Sequence, residues 1–218
     1  MTWEDYTEEI ELIEKQNNVE HDLYNIIFNI LKQRKAFKKI SIRNVCDRKR
    51  TTNQDEFLFW GIKGFPDFVF IDKEYGTKEK TKDMILGALE AKYVGKKILL
   101  KDEEKLQLIG HLLWFKNVIY TNGIEWKIYN CDWYDVFKKE IEKLQKETYF
   151  ISGSKKEVKE KWKSVNQKIL EQFNLCDLKP KCFILGKKDK HNKIKWDDSE
   201  WKKMIYCLDH IEFKLSNL

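Results

Sequence analysis

Three charged residues lie on two segments that the sequence predicts to be neighbouring β-strands. Asp67 follows Gly64-Phe65-Pro66 at the start of one apolar run, and Glu90-Ala91-Lys92 lies inside the next. Side chains two positions apart in a strand point to the same face, so Glu90 and Lys92 project together while Ala91 points into packing. Because consecutive strands usually pair, we expect Asp67 to meet Glu90 across the ladder.

Two carboxylates held at one place repel each other unless a cation lies between them. Their oxygen atoms suit Mg²⁺ or Mn²⁺, which keep several waters and bind phosphates well. Such a cation polarises a phosphodiester and lowers the pKa of a bound water. Beside it, Lys92 could orient that water or stabilise charge on the phosphorane. The three residues therefore predict metal-dependent hydrolysis of phosphodiester bonds.

Each of these features has an ordinary explanation when it is taken alone. A Glu-x-Lys pair on a strand is most often a solvated sheet face, and Pro-Asp is often only a turn. The combination of both, in this order and on successive strands, is far less common by chance. We therefore treat the residues as one candidate site.

An amphipathic helix is predicted before these strands. Asn17 or Asn18 can cap it, and it runs to about Lys35. Glu20 falls on or beside its apolar stripe, where a carboxylate needs a partner. The stripe repeats at helical spacing and comprises Leu23, Ile26, Ile27, Ile30 and Leu31.

The element order predicts a mixed sheet. Strands are expected at Phe57–Trp60, Asp67–Ile71 and Met84–Val94, and a helix at Asp102–Lys116. The last two strands, Asn117–Thr121 and Ile124–Tyr129, flank Asn122-Gly123, which is a strong hairpin signal. Three successive strands favour antiparallel neighbours, and a helical crossover favours a later parallel strand. The fold class is therefore α/β, with a mixed central sheet flanked by helices.

The C-terminal third is predicted to be mostly helical. Charged amphipathic helices are expected at Asp135–Lys146 and Lys155–Phe173, an edge strand at Lys181–Leu185 and a last helix at Ser199–Leu208. The stretch Lys179–Lys203 is rich in lysine and contains two tryptophans. It suits a nucleic-acid surface, and an ordinary lysine-covered subdomain explains it equally well.

The composition is that of a globular chain. Its 218 residues are 42% hydrophobic, 14% aromatic and 36% charged, with a net charge of +6. This predicts one domain with a small appendage and excludes a disordered chain. Charge is uneven, and Leu31–Arg50 is strongly basic, so it could neutralise phosphates. Candidate nucleic-acid contacts there are Arg43, Arg48, Lys49 and Arg50, which could equally be surface charges.

Several other classes of protein are disfavoured. The five cysteines are odd in number and show no C-x-x-C spacing, which favours reduced thiols in the cytoplasm over disulfides or a zinc ribbon. The acidic N-terminus does not resemble a signal peptide, and no apolar run is long enough for a membrane span. No P-loop pattern is present, so no nucleotide cofactor is expected.

With Gly64, Pro66-Asp67 and Glu90-Ala91-Lys92 in this order, the chain resembles the PD-(D/E)XK nuclease superfamily, which has the restriction-endonuclease-like fold. The resemblance covers about Val19 to Tyr129 and implies an αβββαβ core. It implies that Asp67 and Glu90 bind Mg²⁺ or Mn²⁺ together with the backbone carbonyl of Ala91. It also implies that Lys92 assists the attacking water.

Helix residues also join the site in this superfamily. A carboxylate on the first core helix is often a ligand, which makes Glu20 a candidate for the metal and for catalysis. The alternative for Glu20 is a structural ion pair with a buried lysine or arginine. Gln107 matches a glutamine that some branches place near the metal or the phosphate. We expect His111, on the same helix face, to be a structural residue contacting Trp114 or Tyr93.

The resemblance implies a DNA endonuclease of the restriction or phage-defence type. Residues 1–130 would form the nuclease core, and residues 131–218 a mostly helical extension packed on it for substrate recognition or self-association. A twofold homodimer is allowed, since many restriction enzymes match twofold DNA sites. Alternatives are a junction-resolving, exonucleolytic or RNA-cleaving enzyme, and a binding module with a nuclease fold. That module would have a damaged site, whereas all three charged residues are present.

Overall fold

The computed structural model describes residues 1–16, 18–46, 58–59, 64–77, 80–98, 101–131, 139 and 178–213. Within these ranges the helices are α1 (Trp3–Gln16), α2 (Asp22–Lys32), α3 (Asp102–Leu112) and α4 (Asp198–Asp209). The strands are β1 (Ile40–Asn44), β2 (Phe68–Asp72), β3 (Ile85–Ala91), β4 (Asn117–Thr121), β5 (Glu125–Asn130), β6 (Lys181–Ile184), β7 (Gly186–Lys188) and β8 (Ile194–Trp196). Short 3-10 turns lie at Lys35–Phe37 and Lys82–Met84.

Strands β1 to β6 form one mixed sheet in which the spatial order follows the chain order. β3 and β4 run parallel, and the other neighbouring pairs of this sheet are antiparallel. The parallel step needs a long crossover, and α3 supplies it. These directions confirm the predicted mixed α/β fold, with a mixed central sheet flanked by helices.

Side chains of the sheet alternate between two hydrophobic clusters. In β2, Phe68 and Phe70 join residues of α1, α2 and α4, whereas Val69 and Ile71 join residues of α3. All five residues of β2 and all seven of β3 are buried. Strands that are apolar on both faces are covered on both sides. The ends of β2 and β3, where the candidate residues lie, are therefore held by a fully packed sheet centre.

The hairpin between β4 and β5 turns at Asn122-Gly123, as predicted. Gly123 has a φ of 80°, which glycine adopts without steric cost. The Asn122 Oδ1 atom accepts hydrogen bonds from the backbone N–H groups of Ile124, at 2.9 Å, and Glu125, at 2.6 Å. The turn residues thus have the roles that their types predict.

The last described part of the chain combines strands with a helix. β6 lies at the end of the main sheet beside β5, which confirms the predicted edge strand, and β7 pairs with β8 in a separate hairpin. α4 confirms the predicted last helix and is capped by the Asp197 carboxylate. Apart from Lys139, the helices predicted at Asp135–Lys146 and Lys155–Phe173 lie outside the described residues.

The first strand of the sheet is not the one predicted from the sequence. Of the predicted strand Phe57–Trp60, the structure describes Leu58 and Phe59, which form a turn. The Leu58 carbonyl accepts a hydrogen bond of 3.0 Å from Trp114 Nε1, and Phe59 packs in the α3 cluster. Leu58 and Phe59 therefore contribute packing contacts rather than a strand, and β1 is the strand that pairs with β2 in their stead.

The start of α2 also differs from the prediction. The helix begins at Asp22 rather than after Asn17 or Asn18. The Asn18 side chain is committed elsewhere, because it donates to the carbonyl of Val94 at 2.8 Å and accepts from the N–H of Val94 at 2.9 Å. The N-cap residue of the helix is His21, so the cap predicted at Asn18 was wrong, and Asn17 lies outside the described residues.

No helix in the described ranges is both long and apolar enough to cross a membrane. None of the described cysteines, which are Cys46, Cys131, Cys182 and Cys207, forms a disulfide. Cys176 lies outside the described residues.

Replacing Tyr6 of α1 by phenylalanine should destabilise the fold. The buried Tyr6 hydroxyl donates to the carbonyl of Gly123 and accepts from Trp126 Nε1 at 3.1 Å. Phenylalanine would leave both of these buried groups unpaired, at a cost of about 1–3 kcal/mol in the free energy of unfolding. Thermal unfolding followed by circular dichroism measures this. The control is Tyr206→Phe, at a tyrosine that is 65% exposed. Equal melting temperatures for the two variants would contradict the prediction.

Candidate active site

Asp67 and Glu90 lie opposite each other where β2 begins and β3 ends. The register pairs Phe68 with Leu89, and one further step along the antiparallel strands brings Asp67 beside Glu90. The Asp67 Oδ2 atom accepts a hydrogen bond of 2.6 Å from the backbone N–H of Ala91. The structure thus brings the two carboxylates together on adjacent strands, as the order of the elements predicts.

Glu90 is held from two directions by donors on one oxygen. Its Oε1 atom accepts from Lys92 Nζ at 2.5 Å and from Gln107 Nε2 at 2.7 Å. Lys92 follows β3 on the same face as Glu90, and Gln107 reaches it from α3. Glu90 is 3% exposed and Lys92 is 8% exposed. The predicted residues Glu90, Lys92 and Gln107 therefore form one buried polar group.

The second oxygen of Glu90 faces a buried histidine. His111 lies one helical turn after Gln107, and its Nε2 atom is 3.4 Å from Glu90 Oε2, without hydrogen-bond geometry. Among the described residues, neither Glu90 Oε2 nor either ring nitrogen of His111 has a hydrogen-bond partner. The sequence predicts contacts of His111 with Trp114 or Tyr93, whereas the structure places the ring against Glu90 and Phe115. The backbone carbonyl of His111 accepts from the N–H of Trp114 at 3.0 Å, as part of the end of the helix.

Tyr24 of α2 holds the other carboxylate. Its hydroxyl donates to Asp67 Oδ1 at 2.6 Å and lies 3.4 Å from Glu20 Oε1. Both oxygens of Asp67 thus have a donor, one from a side chain and one from the backbone of Ala91. These two contacts fix the orientation of Asp67.

The electrostatics of the two carboxylates differ. Burial, and then the negative charge of Glu90, raise the pKa of Asp67 to about 8, against the opposing hydrogen bonds from Tyr24 and Ala91. Burial alone would raise the pKa of Glu90 as well, but the contacts with His111 and Lys92 outweigh it and lower that pKa. Glu90 is therefore the ionised partner of the pair, and a second negative charge on Asp67 is disfavoured without another cation.

Lys92 keeps its charge despite its burial. Burial would lower the pKa of Lys92, but Glu90 outweighs this effect and the pKa is raised. The carboxylates of Glu20 and Asp67 act in the same direction as Glu90. The side chain is therefore an ammonium group held at the carboxylates.

Glu20 lies at the edge of this group rather than within α2. It stands in the turn before the helix, where its carbonyl accepts from the N–H of Leu23. Burial raises the pKa of Glu20, the charge of Lys92 opposes that effect and the charge of Glu90 adds to it. Its half-buried carboxylate thus interacts with the same charges as Asp67.

The segment that follows Lys92 is tied down at several points. Besides the bracket from Asn18 to Val94, the Asn122 side chain donates to the carbonyl of Lys96 at 2.6 Å. Lys96 Nζ lies 2.5 Å from the buried carboxylate of Glu104 on α3. The backbone N–H of Lys92 itself donates to the carbonyl of Thr121 at 2.8 Å. Contacts with neighbouring elements therefore fix the path of the backbone from Lys92 onward, where the chain leaves the sheet.

The donor set fits a small divalent cation that keeps water ligands. Among the described residues, no three histidine, cysteine, aspartate or glutamate side chains form a metal-binding group. Mg²⁺ does not need such a cage, since it is commonly held by one or two carboxylates, waters and phosphate oxygens. Glu90 Oε2 is a buried oxygen without a hydrogen-bond partner in the described ranges, and its negative charge lies beside Asp67. Both observations fit a cation at this pair of carboxylates.

The predicted nucleic-acid contacts are described only in part. Arg43 is exposed on β1, where it lies opposite Val69. The pKa of Lys32 is lowered, mainly by burial, and the positive charge of Arg43 contributes to that effect. Arg48, Lys49 and Arg50 lie outside the described residues.

Sequence reasoning missed two residues that contact the carboxylates or lie next to them. Tyr24 is four positions after Glu20, and residues four apart share a helix face, so the spacing could have indicated it. Tyr120 is buried opposite Glu90 in the parallel register, with its ring centroid 5.8 Å from Lys92 Nζ. No sequence signal gives that register.

No family model, no curated protein and no solved structure matches this chain.

Proposed function

We propose that the protein is a metal-dependent nuclease that hydrolyses phosphodiester bonds in DNA. The observation that carries the proposal is the buried group of Asp67, Glu90 and Lys92 on adjacent strands, with Gln107 on the same carboxylate oxygen as Lys92. A pair of carboxylates beside an ammonium group has the components that phosphodiester hydrolysis needs. Buried charges of this kind, which cost stability, are concentrated at functional sites.

The residues of the chain orient one another before any substrate binds. Lys92 and Gln107 both contact Glu90 Oε1, whereas the buried Oε2 atom, 3.4 Å from His111 Nε2, has no hydrogen-bond partner within the described ranges. Tyr24 and the N–H of Ala91 hold Asp67. Groups that are fixed in advance need no reorganisation when charge develops on the phosphate. We infer that Lys92 acts as an ammonium group that stabilises this charge, rather than as a proton acceptor.

Asp67 and Glu90 would hold the divalent cation, together with the backbone carbonyl of Ala91 and with Glu20 at the edge. When bound, Mg²⁺ or Mn²⁺ polarises a phosphate oxygen and lowers the pKa of a water ligand. The cation also accounts for placing two carboxylates in one buried location, where they otherwise disfavour each other's charge.

The order of the elements supports the restriction-endonuclease-like assignment. In the described residues from α2 to β4, a helix, three antiparallel strands, a helix and a strand parallel to β3 follow one another. This is the αβββαβ order that the resemblance implies, with Asp67 before the second strand and Glu90 in the third. A restriction or phage-defence endonuclease is the member of this class that we propose.

Plasmid DNA tests the proposal directly. We expect the wild-type protein to cleave supercoiled plasmid in Mg²⁺ or Mn²⁺ and to lose all cleavage in EDTA, because the carboxylates need the cation to act. Agarose gels give the rate, and discrete fragments would indicate sequence recognition whereas a smear would indicate nonspecific cleavage. Cleavage that persists in EDTA would overturn the metal-dependent mechanism. The absence of cleavage of any DNA would favour a binding module or an RNA-cleaving enzyme.

A further inference from the structure

The hairpin of β7 and β8 is rich in lysines that do not stabilise the hairpin itself. Residues 186–196 contain five lysines and one aspartate, a net charge of +4, whereas the whole chain carries +6. Lys187 of β7 lies directly opposite Lys195 of β8 in the antiparallel register. Like charges in this position destabilise a strand pair, so the stability of the hairpin does not explain them.

One face of the hairpin is buried against α1. Trp196 Nε1 donates to Glu11 Oε1 at 2.9 Å, and the Trp196 ring meets the Trp3 ring edge to face at 5.7 Å. Gly186 lies opposite Trp196, where an added Cβ atom would come within 2.9 Å of the indole ring. This face is therefore tightly packed, and the hairpin has a fixed position on the protein.

The other face presents lysines to solvent. Strand residues alternate between faces, so Lys187 and Lys195 point away from the packed tryptophan. Both are exposed, and so is Lys190 in the turn between the strands. Within the described part of the chain, none of the three forms an ion pair with an acid. Asp189 does not neutralise them by contact, because its carboxylate accepts from two backbone N–H groups of the turn.

The hairpin lies near the end of β3 that carries the candidate active site. Lys188, between the outward lysines in sequence, forms an ion pair with Glu14 of α1 and lies against Gly95, where an added Cβ atom would be 3.2 Å from its Nζ atom. Gly95 follows Lys92 by three residues, so their Cα atoms are at most about 11 Å apart. The contact of Lys188 with Gly95 thus places the hairpin near the strand that carries Glu90 and Lys92, while Lys187 and Lys195 point to the other face of the hairpin.

We propose that Lys187, Lys190 and Lys195 form a binding surface for the phosphate backbone of duplex DNA, on a part of the duplex beyond the bond that is cleaved. The identity of the ligand rests on the proposed nuclease function. Duplex DNA presents a negative charge about every 1.7 Å along its axis, which complements three lysines that form no ion pair within the described ranges. Bound phosphates would also remove the repulsion between Lys187 and Lys195.

A triple variant, Lys187→Gln with Lys190→Gln and Lys195→Gln, tests the surface. Binding to a short fluorescein-labelled DNA duplex is measured by fluorescence anisotropy in EDTA, which blocks cleavage, over a series of salt concentrations. We expect at least about tenfold weaker binding at low salt. The slope of log K against log salt should become less negative by about 0.9 for each phosphate that a lysine no longer neutralises.

The matched control removes three lysines that already have acidic partners. Lys15, Lys202 and Lys203 each form an ion pair with an acid three or four positions away on the same helix. Their triple change to glutamine alters the net charge by the same amount, and we expect less than about a threefold effect on binding. Equal weakening in both triple variants would overturn the proposal, since only net charge would then matter.

Other results separate this proposal from the nuclease itself. Wild-type binding that depends on the three lysines, without cleavage in any metal, would overturn the nuclease and keep the DNA-binding surface. Cleavage and binding that are unchanged in the Lys187 triple variant would overturn the surface and keep the nuclease. Binding to an acidic protein but not to DNA would also overturn it. The triple variant should melt no lower than the wild type, because it removes a like-charged pair, and marked unfolding would count against the surface.

Discussion

Replacing Asp67 by asparagine should reduce metal-dependent DNA cleavage by more than about 100-fold. Asparagine keeps the shape of the side chain and can still accept from the N–H of Ala91, but it removes the negative charge that, in the proposed mechanism, would share a cation with Glu90. Loss of an outer partner of a metal ligand alone costs about 10- to 100-fold in metal affinity or activity, so loss of the ligand itself should cost more. Plasmid cleavage under saturating Mg²⁺ or Mn²⁺ gives the ratio of rates.

The same substitution should not destabilise the protein at neutral pH when no metal is present. Folded Asp67 keeps its proton up to a pKa of about 8, whereas the unfolded side chain releases it near the ordinary value of 3.8. Between these pH values the unfolded state binds fewer protons, so the stability of the wild type falls as pH rises. Asparagine removes this dependence. Thermal unfolding between about pH 5 and pH 8 should therefore show a flatter profile for the variant, with an equal or higher melting temperature near the upper end of that range.

Asp72→Asn is the control for both measurements. Asp72 is also a buried aspartate at an end of β2, but its carboxylate accepts from the N–H of Glu74 at 2.9 Å, in the turn that follows the strand. Asparagine can accept the same bond, so cleavage should remain near the wild-type rate. If Asp67→Asn cleaves DNA as fast as Asp72→Asn does, Asp67 is not part of the chemistry.

Parts of the fold that depend on local signals could be predicted from the sequence. The β4–β5 hairpin follows from Asn122-Gly123, because that dipeptide favours the backbone angles of a tight turn. β2 and β3 follow from apolar runs of the right length. Helix α1 was not predicted, although the buried residues Tyr6, Ile10 and Ile13 have helical spacing. The many acids between them give the segment the composition of a charged surface stretch and obscure that period.

The first strand shows where local signals fail. β1 has two buried isoleucines, Ile40 and Ile42, within a strongly basic stretch, whereas Leu58 and Phe59 lie in a more apolar one. A strand needs a partner for its backbone groups, and β2 provides this partner for Ile40–Asn44. Tertiary pairing, which the sequence does not display, thus placed a strand at Ile40–Asn44, where none was predicted, while Leu58 and Phe59 form a turn.

For the candidate site, spacing was informative within elements and uninformative between them. Glu90 and Lys92 share a strand face because side chains in a strand repeat every two residues. Gln107 and His111 share a helix face because side chains in a helix repeat about every 3.6 residues. Which helix face meets which strand depends on packing. Consequently the resemblance implied only that Gln107 lies near the metal or the phosphate, and the contacts of Gln107, His111 and Tyr24 with the carboxylates were not anticipated.

Replacing Gly87 by alanine should reduce the stability of the fold. We expect a larger loss there than for the same change at the other described glycines in the loops next to β3. Gly87 lies in β3, and an added Cβ atom would be 2.5 Å from the carbonyl oxygen of Asn117 and 2.9 Å from Cδ2 of Phe70. The Asn117 backbone cannot withdraw easily, because β4 pairs with β3 from Ala88 onward and the Asn117 side chain donates to the Leu86 carbonyl at 2.9 Å. Overpacking of this kind costs about 1–3 kcal/mol or more.

Thermal unfolding should therefore show a melting temperature lower by roughly 2–4 °C for each kcal/mol of destabilisation. Gly76→Ala is the comparison. Gly76 has a φ of +83°, and an added Cβ atom there would make an ordinary contact of 3.7 Å with Cε of Lys80. The variant therefore has the cost of backbone strain without overpacking, about 1–2 kcal/mol. Gly87 precedes Glu90 by three residues on the same strand, so a strand displaced from Asn117 also displaces the carboxylate. Gly87→Ala should thus lose cleavage even below its melting temperature, whereas Gly76→Ala should keep it. A Gly87→Ala protein with wild-type stability and cleavage would mean that β3 and β4 are less closely packed than these distances indicate, and that the position of Glu90 does not depend on their contact.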